Sequence, residues 1–176
     1  MESRRQVRPV QKKNKPIPKF DNPLEQNEYY RSKALNYIGF KMRTRAEVER
    51  SLKSHECPES LCEEILEFLV EYRYVEDEAY VKSYIVQSRN LQHWSKRDIT
   101  GRLLQKGVSS DLIETAFAEM PEDDEAREAR ILFEKKLRSM ETPDAKKLTA
   151  YMLRKGFSYD IVRPLVREYA DDEWME

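Results

Sequence analysis

Glycine is scarce, with four in 176 residues, and the four are scattered. That excludes a glycine-rich loop cradling phosphate. There are two cysteines, Cys57 and Cys62, five positions apart. They do not make a disulfide framework, and they fit a reducing compartment. No apolar run approaches the ~20 residues of a membrane span. The basic start, MESRRQVRPVQKK, has no apolar segment behind it and does not read as a secretory signal. A cytoplasmic location is expected. Charge of one sign is missing too: 32 Lys and Arg face 33 Asp and Glu, a formal net of −1. Any attraction to nucleic acid must come from local patches. His55, Cys57 and Cys62 lack a fourth metal ligand at suitable spacing, since His93 lies far along the chain. Carboxylates alternate with Lys and Arg, as on solvated helix faces, and no acid–base pair has an implied pocket to shift its pKa. The expectation is no enzyme, no metal and no cofactor.

What is present is charge, at 37% of residues, and regular apolar spacing. Together with scarce glycine this predicts an all-α protein. The centre of the pattern is Ser95 to Met120: a capped helix, a glycine stop, then a second capped helix. The layout recurs from Thr44 and from Asp144, a period of about 50 residues that marks a repeat architecture. Val48, Ile99 and Leu148 fall together; so do Leu52, Leu103 and Met152, Leu61, Leu112 and Ile161, and Ile65, Ala116 and Leu165. The expected fold is three tandem three-helix repeats in an elongated, curved array.

The expected division is a disordered basic tail over 1–23, repeats over 24–73, 74–120 and 121–170, and an acidic tail over 171–176. Pro9, Pro16, Pro18 and Pro23 and sparse apolar residues argue against folding of the first segment. The first helix is expected from near Glu28 to about Phe40. Thr44 with Glu47 makes a capping box, and Ser95 with Asp98 repeats it. Gly107 and Gly156 are expected as left-handed helix stops. Ser109 or Ser110 then caps the helix after the first stop, and Ser158 the helix after the second. A loop is expected over Asn90 to Trp94. Leu104 with Gly101, and Leu153 with Ala150, give the second and third middle helices a small-plus-leucine face; unit one has Arg50 and Lys53 there.

The candidate contact residues are cations: Arg43, Arg45, Arg89, Lys96, Arg97, Arg102, Lys106, Lys146, Lys147, Arg154 and Lys155. They do not share one helical face, so a patch needs several helices. Trp94 is either an aromatic contact or a cover on a small core. No helix carries the Arg/Asn/Gln cluster that reads base edges, so any DNA contact is expected at the backbone, single- or double-stranded.

Several stretches, taken in order, resemble the RecX family of bacterial regulators of the RecA recombinase. Tyr74-Val75-Glu76-Asp77-Glu78-Ala79-Tyr80 is similar to its G-Y-[LI]-D-D-x-x-[YF]-[AV] segment. Arg89, Ser95 to Ile99 and Leu103-Leu104-Gln105-Lys106-Gly107-Val108 look like its R-x-I-x-x-E-L-x-x-K-G-I run. Ala34-Leu35, Lys41-Met42-Arg43-Thr44 and Leu153-Arg154-Lys155-Gly156-Phe157 resemble its flanking elements. The likeness spans roughly residues 28 to 169. Arg73 stands where the family has glycine, Glu76 where it has aspartate, and Arg102 where glutamate is common. The resemblance implies three three-helix units without catalytic activity. It implies binding in the groove of the RecA–DNA filament, with damping of its ATPase and strand exchange, in recombination, repair and the SOS response. Some members bind DNA themselves. A monomer is expected. Tyr74, Asp77 and Tyr80 are expected to fix the joint between units one and two. A DNA- or RNA-binding module without a recombinase partner is the alternative.

Overall fold

The computed structural model describes residues 17–120, 124–142 and 144–173. Among them the chain forms nine helices and no strand: α1 (Pro23–Ile38), α2 (Arg45–Ser54), α3 (Glu59–Glu71), α4 (Asp77–Gln92), α5 (Lys96–Gln105), α6 (Ser110–Ala118), α7 (Asp124–Arg138), α8 (Ala145–Arg154) and α9 (Tyr159–Glu173). They pack in triplets in chain order, α1 to α3, α4 to α6 and α7 to α9. Each triplet closes on its own apolar cluster. The equivalent positions read from the repeat are these cores. Val48, Ile99, Leu103, Leu148 and Met152 are fully buried, and Leu52, Ile65 and Ala116 nearly so. Three small cores, each from helices close in sequence, need little loop closure.

Caps fix the helix starts. Thr44 and Glu47 form the reciprocal capping box: the Glu47 N–H donates to Thr44 Oγ1 (3.1 Å) and the Thr44 N–H to Glu47 Oε2 (3.2 Å). Ser95 and Ser109 cap α5 and α6 by accepting from Asp98 N–H and Leu112 N–H. Asp144 accepts from the N–H groups of both Lys146 and Lys147. Gly107 and Gly156 take φ of 84° and 88°, as stops that need a residue without Cβ.

The structure departs from the expected elements in three places. The first helix begins at Pro23, not near Glu28. Asn22 caps it, and proline at the first helical position gives up an N–H that has no helical partner anyway. Phe20 lies 5.3 Å from Tyr29 and 5.9 Å from Tyr30, ring to ring, so the segment assigned to the basic tail is already packed there. Residues 1–16 of that tail lie outside the described residues. α4 runs on to Gln92 and ends at His93, left-handed at φ 53°, which shortens the loop expected over Asn90 to Trp94. The backbone of α9 continues to Glu173; the side chains of the acidic end lie outside the described residues. Arg73, where the resemblance calls for glycine, holds a left-handed φ of 57°.

Candidate partner-binding surface and the joints between units

The middle helices α2, α5 and α8 meet end to end, and the N-cap hydroxyls make the junctions. Thr44 Oγ1 caps its own helix and also donates to the Lys106 carbonyl at the end of α5 (2.7 Å). Ser95 Oγ does the same to the Lys155 carbonyl at the end of α8 (2.8 Å). One hydroxyl thus satisfies an orphan N–H of one helix and an orphan C=O of the next. Both are fully buried. A helix N-terminus facing a helix C-terminus also aligns the two dipoles favourably.

A carboxylate from the next unit completes each joint. Asp77 Oδ1 accepts the Arg45 N–H (2.8 Å), and Glu125 Oε1 accepts the Lys96 N–H (2.9 Å). The backbone at Gly107 and Gly156 lies so close that a Cβ would collide with Ala46 Cβ in the first joint and Ser95 Oγ in the second. The first joint is braced by Lys106 Nζ on Glu47 Oε1 (3.0 Å), with Lys106 over the rings of Tyr80 and Tyr84. Burial works to raise the Glu47 carboxyl, but hydrogen bonds from Lys106 and the Thr44 N–H outweigh it and hold it below the usual glutamate value. Burial likewise opposes charge on Lys106, yet the Tyr80 hydroxyl and Glu47 hold its ammonium above the usual lysine value. The second joint has instead His93 Nδ1 against the buried Glu128 carboxylate. Asp77 and Tyr80 lie in the first joint; Tyr74 is exposed and sits beside Phe68.

The candidate cations divide into groups. Arg89 is the correction: it is 6% exposed, with its guanidinium 5.3 Å from the centre of the Phe117 ring, and it does not reach the surface. The i, i+4 spacing that buries Tyr80, Val81 and Ile85 carries it inward. Lys106 serves the first joint. Arg43 is half-buried, over Tyr37 (4.1 Å) and near Glu47 (3.8 Å). Arg45 pairs with Glu63. Arg97 is exposed and its Nη2 donates across the second joint to the Leu153 carbonyl (3.4 Å). Lys96 is exposed, its Nζ 5.1 Å from the Phe117 ring. Arg102 is exposed and stacks on Trp94 at 3.9 Å, while Trp94 itself covers the second core. Lys155 is half-buried beside Tyr151. Lys146, Lys147 and Arg154 are exposed on α8, and no side-chain hydrogen bond or ion pair holds them among the described residues.

Leu104 and Leu153 are 48% and 37% exposed, so the small-plus-leucine face is on the surface. Phe40 and Met42 are surface candidates that sequence reasoning misses: they are 92% and 52% exposed, next to Lys41 in the loop before Thr44. Their only signal in the sequence is two large apolar residues beside Gly39, outside any periodic stripe. Burial, then Cys62 beside it, pushes the Cys57 thiol up to about 12, which disfavours its thiolate. His55 Nδ1 is engaged with the Ser51 carbonyl (2.8 Å). No helix among the described residues is long and apolar enough to cross a membrane.

Comparison with known proteins matches residues 31–69 to the first three-helix domain of RecX and residues 77–116 to the second. The chain belongs to the RecX family. It is 30% identical over 144 residues to the regulatory protein RecX of Bacillus cytotoxicus, covering 80% of this chain and 53% of that protein. To the regulatory protein RecX of Streptococcus uberis it is 32% identical over 142 residues, covering 78% and 54%. The chain thus spans about half the length of the curated relatives it matches. The crystal structure of RecX from Lactobacillus salivarius superposes with a TM-score of 0.74 at 27% identity, covering 82% of this chain and 97% of that one. A second crystal structure, of a regulatory protein RecX, gives 0.71 at 27%, covering 81% and 72%. These structures share the helical-repeat architecture that the two domain matches mark in sequence.

Proposed function

We propose that this RecX-family chain is a non-enzymatic regulator that binds along a RecA–DNA filament and restrains the recombinase's ATPase and strand exchange. The observation that carries the reading is the pair of family three-helix domains, joined through hydrogen bonds from the N-cap of one middle helix to the end of the next. A third unit of the same design comes after them. Such an array suits a repeating polymer better than a small-molecule pocket, because each unit adds modest contacts and linkage raises the effective concentration of the rest. Relatives named as regulatory proteins support a regulatory role; RecA as target follows from the family resemblance. Of the candidate cations, Lys96, Arg97, Arg102, Lys146, Lys147 and Arg154 are the exposed ones and would face the filament, with DNA contacts at the phosphate backbone. The units run over 24–73, 74–120 and 121–170, and the protein acts as a cytoplasmic monomer.

The test is co-sedimentation of the protein with RecA–DNA filament and with the same DNA alone, at matched salt. Tighter capture on the filament is the expected result. Equal capture on naked DNA would reduce the protein to a sequence-nonspecific DNA-binding module.

A further inference from the structure

Each joint needs two complementary ends: a hydroxyl N-cap on one middle helix and a left-handed glycine after the next. Unit one has the hydroxyl, Thr44, but carries Glu56 where units two and three have Gly107 and Gly156. Unit two has both parts, Ser95 and Gly107. Unit three has the glycine but carries Asp144 where the others have Thr44 and Ser95. We propose that Glu56 and Asp144 close the two ends of the array, so that a second copy of this chain cannot add to either.

At one end, Asp144 accepts the N–H groups of Lys146 (2.7 Å) and Lys147 (3.0 Å), so α8 is capped as well as its counterparts are. An ionised carboxylate is an acceptor only. It has no proton for an incoming carbonyl, and the two acceptors would face each other in a contact from which the joints exclude water. Such an unmade bond costs more than a made one contributes.

At the other end, Glu56 holds a left-handed φ of 58° with a full side chain. That side chain starts where Ala46 Cβ or Ser95 Oγ presses against a glycine in the working joints. The carbonyl in register with those of Lys106 and Lys155 belongs to His55. It already accepts the Tyr30 hydroxyl (3.1 Å), which also reaches the Glu56 carbonyl (3.2 Å). Residues 17–23 also line a cleft with Tyr30 and Glu56, so the segment before α1 lies beside that end. The need for closure is physical. A head-to-tail contact that does not close on itself runs on into an open fibre.

The test places the end residue inside a working joint of the full chain. Ser95→Asp installs the unit-three cap in the second joint, and Ser95→Thr installs the unit-one cap. Dye pairs between α4 and α9 report the distance between units two and three, and circular dichroism reports helix content. Ser95→Thr is expected to keep the wild-type distance. Ser95→Asp is expected to keep the helices, lengthen and broaden the distance, and split one unfolding transition into two. If Ser95→Asp loses helix content, Thr44→Asp in the first joint is read the same way with dyes on units one and two. Sedimentation of the wild-type chain from micromolar to millimolar should give one unchanging mass. A wild-type distance in both aspartate variants, or a wild-type mass that grows with concentration, would overturn the proposal.

Discussion

Single residues decide where the units are strong and where they are strained. Leu103 is fully buried at the centre of the second core. Leu103→Ala should cost ~2–5 kcal/mol, the lost transfer energy plus a cavity, seen as a lower denaturation midpoint and a loss of function through unfolding. Arg73 points the other way. Its φ of 57° lies where a Cβ is disfavoured, and among the described residues its charge meets an exposed Glu76 at 3.7 Å. Arg73→Gly should stabilise the chain by about 0.5–1 kcal/mol, the relief of left-handed strain less glycine's greater unfolded-state entropy. An unchanged or lower midpoint in chemical denaturation would contradict this. Arg89 teaches a related point about reading charge. Among basic residues it is indistinguishable by type, yet its register with Tyr80, Val81 and Ile85 places it inside. Periodicity outranks charge when a long side chain can fold its stem against a core.

At the scale of elements, caps and apolar stripes are legible in the sequence because they are local: Thr44, Ser95, Ser109 and Asp144 each act within three residues of themselves. Their second task is not legible, since Thr44 meets Lys106 and Ser95 meets Lys155 across some sixty positions. A hydroxyl and a carboxylate are equivalent as caps but not as donors, and only the joint separates them. The start of α1 escapes the apolar pattern for a different reason: Pro23 alone reads as a breaker, while Asn22 before it makes it a first helical residue. The first joint also has a pH signature. Glu47 is held below the usual glutamate value, so its stabilisation is present above the unfolded value of about 4.3 and is lost as pH falls through the lower folded one. Lys106 is held above its usual value, so its share is present below about 10.4 and is lost as pH rises through the higher folded one. Stability should therefore be flat around neutrality and fall on the acid side. Glu47→Gln should make that acid limb shallower in pH-dependent denaturation; an identical limb would remove Glu47 as its source.

At the scale of the whole molecule, the proposed binding and the fold draw on different cations. Arg89 and Lys106 are committed to cores and joints, and Arg97 leans on the second joint. Reversing those would confuse lost contact with lost structure. Lys146, Lys147 and Arg154 are exposed on α8 and free of such duties, so they make the cleaner probe. Lys146→Gln, Lys147→Gln and Arg154→Gln remove the charge without setting acids beside the Asp144 carboxylate, whose ionised form the two lysines support. The triple variant should keep wild-type helix content and unfolding midpoint. Its capture by RecA–DNA filament should weaken, and the log–log salt dependence should flatten by about 0.9 for each duplex phosphate contact removed. Weaker capture with an unchanged salt slope would mean that these cations meet no DNA phosphate. Unchanged capture and slope would move the interface off α8 altogether, toward Arg102 and the exposed Phe40–Met42 loop.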